Sequence, residues 1–167
     1  MTELCAIIAE EEQGGKTTKV INIASQVQEE ENNIILCHRY KHIREELTQR
    51  AAGKLKNICD RYQINGLQDL YARGKTPKYN LIDLLNATVL KEVPKLYDSS
   101  VPINCYWDEA DTLAFGENYQ KSDGTLVQKD QLAFDMYKLN TFKQMWLISA
   151  TWWDWIWTEY DFDRVIN

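Results

Sequence analysis

No apolar run in this chain is long enough to cross a bilayer. The first residues carry no signal-peptide pattern, so secretion is not expected. Both absences point to a protein without a membrane segment, in a reducing cytoplasmic setting. Paired cysteine motifs are also lacking. Cys5, Cys37, Cys59 and Cys105 stand far apart, and a zinc site needs closer ligand spacing. Three of the four lie in apolar runs and read as reduced thiols of the core. Histidine is scarce: Cys37, His38 and His42 are near one another, but they form no recognised metal pattern. Positive charge is not in excess. Lys plus Arg number 19 against 25 Asp plus Glu, a net charge of -6. Such a chain does not draw in nucleic acid through its overall field; contact needs a local basic patch or another domain. Internal repeats, low-complexity segments and a clear second domain are absent. Asn86-Ala87-Thr88 fits a glycosylation pattern, which carries no weight without secretion.

What remains is an ordinary globular composition. The chain has 167 residues, 44% hydrophobic and 26% charged, enough for one domain with a real core, spanning 1–167. Leu4 to Ala9 reads as a short buried strand. Glu10 to Gly15 reads as a loop. From Thr17 the pattern turns helical, with Val20, Ile23, Ala24 and Val27 on one face. Glu29 to Glu31 read as its solvated end, before a turn at Asn32 and Asn33. Ile34 to Cys37 is a second strand. Ile43, Leu47 and Ala51 mark a second helix, with Gly53 as its stop. This alternation predicts an α/β fold with a mainly parallel sheet and right-handed crossovers.

Further on, a strand is expected around Asn57 to Cys59. Asn80 to Leu90 reads as partly helical through Leu81, Leu84, Leu85 and Val89. Lys91 to Ser100 is a connector. Ile103 to Trp107 is a third clear strand. Glu117 to Thr125 reads as an exposed loop, Val127 to Leu139 as a helix, and Gln144 to Ser149 as a strand. Trp152, Trp153, Trp155, Trp157, Tyr160 and Phe162 crowd the tail. Such aromatics usually pack; a base-stacking platform is the weaker alternative.

Three of the apolar runs end in chemistry-bearing residues. After the first come Gly14, Gly15, Lys16, Thr17 and Thr18. A loop between a buried strand and a helix N-terminus suits phosphate, because free amides and the helix dipole both favour an anion. Gly14 and Gly15 let the backbone approach. Lys16 would reach the β- and γ-phosphates, and the Thr17 hydroxyl would face magnesium. The full pattern G-x-x-x-x-G-K-[ST] is incomplete, since Glu10 takes the first glycine's place and Glu11, Glu12 and Gln13 follow. These carboxylates repel a triphosphate unless they point away. The loop is therefore either reshaped or weakened. At the end of the third strand, Asp108 would bind magnesium and Glu109 would activate the attacking water.

Asp108-Glu109-Ala110-Asp111 together with Ser149-Ala150-Thr151 resembles motifs II and III of superfamily two helicases, the DEAD-box and related enzymes. Gly15-Lys16-Thr17 resembles the end of their motif I. Ile34 to Leu36 and the His38 to Arg50 helix are placed like the motif Ia region. The resemblance covers nearly the whole chain. It implies a three-layer RecA-like P-loop NTPase domain, with a mainly parallel central sheet flanked by helices, that binds ATP and Mg2+. It further implies that Asp111, Ser149 and Thr151 link the nucleotide to a DNA or RNA path. On this reading a second RecA-like domain is needed to supply an arginine finger and half of the nucleic-acid track. No such domain is expected within this chain, nor an adenine-reading segment before the first strand. The isolated chain would then hydrolyse ATP weakly or not at all.

Two other readings stay open. A decayed P-loop domain would serve as a protein-binding module, docking a partner on the face that would meet the second domain. Another P-loop NTPase, such as a partition-type ATPase or a kinase, would also use Gly14 to Thr18, but it does not explain the other two motifs.

Overall fold

The computed structural model describes residues 2–8, 15–37, 41–60, 72–74, 78–84, 95, 97–108, 119–120, 122–124, 126–127, 141–149 and 162–166. Its elements in order are β1 (Glu3–Ile8), α1 (Lys16–Val27), β2 (Asn32–Cys37), α2 (Lys41–Ala51), β3 (Ile58–Asp60) and β4 (Asn80–Leu84). Then follow β5 (Ile103–Trp107), β6 (Tyr119–Gln120), β7 (Leu126–Val127), β8 (Gln144–Ser149) and β9 (Arg164–Ile166).

Seven strands form one sheet in the order β3-β4-β2-β5-β8-β1-β9, and every pair in it is parallel. Parallel strands need crossover connections, so both faces of such a sheet are covered. Burial agrees. Cys5, Ile7, Ile35, Ile82, Tyr106, Trp146 and Ile148 pack with Val20, Ile21 and Ala24 of α1 and with Leu47 and Ala51 of α2. On the other face Leu4, Ala6, Ile34, Leu36, Leu81, Cys105, Trp107, Met145 and Leu147 are buried too. The α/β class and the parallel sheet thus stand as expected.

Four strands lie where the apolar runs predict them, at β1, β2, β5 and β8. The buried stripe of α1 is Val20, Ile21 and Ala24; Ile23 and Val27 are only half-buried. Helix α2 buries Leu47 and Ala51, and its end is closed by the Lys54 and Leu55 amides on the Ala51 carbonyl, at 3.0 and 2.8 Å. Gly53 has no left-handed φ; the nearby residue that does is Asn57, at 50°.

Three expectations need correction. Asn32 and Asn33 are not a turn but the first residues of β2, and Glu31 beside them is buried rather than solvated. Their side chains find partners inside the fold, which overrides turn propensity. Asn80 to Leu84 is strand, not helix. A strand buried on both faces shows no period of two, so its apolar spacing imitates a helix. The stretch 117–125 holds β6 and leads into β7, its antiparallel partner, around a turn with Gly124 at φ 89°. The expected helix from Val127 to Leu139 and the aromatic cluster from Trp152 to Tyr160 lie outside the described residues, apart from Val127 itself, which is in β7.

Candidate functional site

Strand order decides what meets at the C-terminal rim of the sheet. β8 sits between β5 and β1. Ile8 is level with Ser149, and Trp107 is level with Leu147. Asp108 therefore stands beside Ile148, one residue short of the Ile8–Ser149 level. Three segments far apart in sequence thus run out together at one place. From β1 the chain travels toward β2, across β8 and β5; from β8 it travels the other way, across β1 to β9. Neighbouring strands whose connections leave in opposite directions make a switch point, where open α/β sheets hold their ligands.

The first segment turns into α1 through Gly15. Its backbone is left-handed, φ 80° and ψ 14°, and its carbonyl accepts the Lys19 amide at 2.9 Å. A Cβ at Gly15 would meet none of the described residues within 4 Å. No side chain among the described residues caps α1, and its first turn holds no acidic residue. Lys16 is the first helical residue; Thr17 is half-buried and Thr18 exposed. Glu10 to Gly14 and the side chain of Lys16 lie outside the described residues.

The second segment leaves β5. The Asp108 amide donates to the Leu36 carbonyl at 2.9 Å and so extends the ladder one residue past the strand. Asp108 is half-buried. Strand alternation gives it the face of Asn104 and Tyr106, the face packed by α1. Beneath it, Tyr106 stacks on Trp146 with ring centroids 6.2 Å apart, and burial pushes the Tyr106 hydroxyl's pKa up. Glu109, Ala110 and Asp111 lie outside the described residues, as do Ala150, Thr151 and the side chain of Ser149.

Asp108 follows β5 and Thr17 lies in the first turn of α1, and both carry oxygen donors. An Asp carboxylate and a Thr hydroxyl suit magnesium rather than a soft metal. Burial pushes Cys5 and Cys105 up to about 12, with the Glu3 carboxylate adding to the effect at Cys5. Among the described residues no cluster of His, Cys, Asp and Glu could hold a metal, and no helix is long and apolar enough to cross a membrane. The side chains of Cys37, His38 and His42 lie outside the described residues.

Two features have no counterpart in the sequence reading. β9 adds a parallel strand beyond β1, and Arg164 lies over the Trp146 ring at 5.6 Å. A row of buried asparagines also spans β4, β2 and β5 at the other end of the sheet. Its signal is present in the chain: Asn33, Asn80 and Asn104 each precede an apolar run. A scan against family models found no match, and a search of curated proteins found none similar.

Proposed function

We propose that the chain is a RecA-like P-loop domain of superfamily two type that binds and hydrolyses Mg-ATP at the rim shared by β1, β8 and β5. The observation that carries this reading is the strand order. It brings the ends of three motif-bearing strands together at a switch point, although β1 and β8 are separated by most of the chain. β1 and β5 stand two strand spacings apart, roughly 10 Å. That gap suits a metal and the terminal phosphates between a phosphate loop and a carboxylate.

In this reading the backbone of Gly14 and Gly15 and the first turn of α1, through Thr18, hold the phosphates, with Lys16 on the terminal ones. Thr17 and Asp108 hold Mg2+, which when bound neutralises phosphate charge. Glu109 orients the attacking water. Asp111, Ser149 and Thr151 couple the site to DNA or RNA when the chain is joined to a second RecA-like domain. Without an arginine from such a domain, hydrolysis is slow.

Calorimetry of Mg-ATP binding to this chain, to Lys16→Ala and to Asp108→Asn tests the proposal. Micromolar binding that Lys16→Ala abolishes, and that loses its magnesium dependence in Asp108→Asn, is the expected result. Absence of binding at millimolar nucleotide would sink it, and would leave the protein-binding module as the better reading.

A further inference from the structure

Polar side chains occupy one level of five adjacent strands, at the end of the sheet opposite the candidate site. Asn33 is in register with Asn80 and with Asn104; Asn104 is in register with Gln144, and Gln144 with Glu3. Residues at one level of parallel neighbours share a face, so these five form a row. Asn33 donates to the Asn80 side-chain oxygen at 2.9 Å, and Asn104 donates to that of Asn33 at 3.4 Å. Gln144 donates to Glu3 at 3.2 Å. The row is anchored at several points: Asn33 to the Ala24 carbonyl of α1 at 3.2 Å, Asn80 to the Lys56 carbonyl at 2.6 Å, and Asn104 to Glu31 at 3.1 Å. Asn33 and Asn104 are wholly buried, and Asn80 nearly so.

The apolar pattern of this sheet cannot set its register. Consecutive residues of β1, β2, β5 and β8 are buried on both faces. A slip of one residue there exchanges one apolar side chain for another. A slip at the amide row is different, because it carries a buried amide to the opposite face without its partners. The Asn104 side-chain oxygen already has no hydrogen-bond partner among the described residues. A buried polar group kept at a cost in stability fits a role in specifying register.

We propose that this amide row is the register key of the sheet, and that Asn104 is the positioning residue for Asp108. The two lie on one strand and one face, four residues apart. A slip of one residue in β5 would turn Asp108 away from α1 and bring Glu109 in its place. The register claim stands on the row alone; its consequence for catalysis rests on the nucleotide reading.

The test is the full chain carrying Asn33→Val and Asn104→Val, compared by amide NMR with Ile34→Val and Cys105→Val. The row variant keeps its strand content but splits the β2 and β5 resonances into two or more sets, and only one set retains the Asp108–Leu36 contact. The control variant shows one set. A single set with unchanged cross-strand contacts in the row variant would overturn the proposal. If that variant does not fold, the wild-type chain decides. Side-chain amide protons of Asn33 and Asn104 that exchange about a hundredfold slower than exposed amides support the key, and exchange at the exposed rate overturns it. Neither readout involves nucleotide, so failure of the register claim and failure of the ATP reading are separable.

Discussion

Gly15 carries a backbone conformation that L side chains rarely adopt, and a Cβ there would meet none of the described residues within 4 Å. Gly15→Ala should therefore cost about 1–2 kcal/mol through φ alone, read as a lower urea midpoint with unchanged slope. A change within error would mean that the turn is not held left-handed. The buried thiols give a second residue-scale expectation. Cys5 and Cys105 are raised from 9.0 to about 12. Between those values the unfolded chain has given up these protons and the folded chain keeps them. These two thiols thus leave stability unchanged below pH 9 and lower it as pH rises from there toward 12. Each thiol contributes a slope of about 1.4 kcal/mol per pH unit in that window. Urea titrations across this range should show a flatter decline for Cys105→Ala than for the wild type. Equal slopes would contradict a neutral buried thiol.

Between elements, the clearest single tie is that of α2 to β3. Arg44 and Asp60 form an ion pair with both residues buried, and Thr48 donates to the same carboxylate at 3.3 Å. Removing one partner strands a buried charge, at a cost of about 3–5 kcal/mol. Asp60→Ala should lose about that much, and Arg44→Met with Asp60→Leu should recover most of it. A loss below about 1 kcal/mol in Asp60→Ala would show that the pair does not anchor α2. Elements differ in how far they are legible from sequence. β1, β2, β5 and β8 show as bounded apolar runs, and α1 and α2 show through their spacing. β4 does not, because Leu81 and Leu84 lie in a strand covered on both faces and match a helical spacing equally well. β9 is too short and too exposed to leave a pattern: Val165 is 41% exposed. Its place depends on pairing with β1, and no local signal reports that.

At the scale of the whole molecule, the convergence of β1, β8 and β5 is the central fact. Gly15, Lys16, Thr17, Asp108 and Ser149 are individually legible, since each follows an apolar run. The convergence of the strands β1, β5 and β8 is not, because it requires β8 to insert between β5 and β1, a pairing across more than a hundred residues. The same sheet is keyed at one rim by amides and opens at the other toward the proposed nucleotide, so register and site are one problem. The most direct measurement is an amide NMR titration of the wild-type chain with Mg-ATP. Saturable shifts are expected at Gly15 to Thr18, Ile8, Asp108 and Ser149, with Asn33 and Asn80 at the far rim unmoved. Shifts that cluster away from the β1–β8–β5 rim, or none at millimolar nucleotide, would contradict the nucleotide reading.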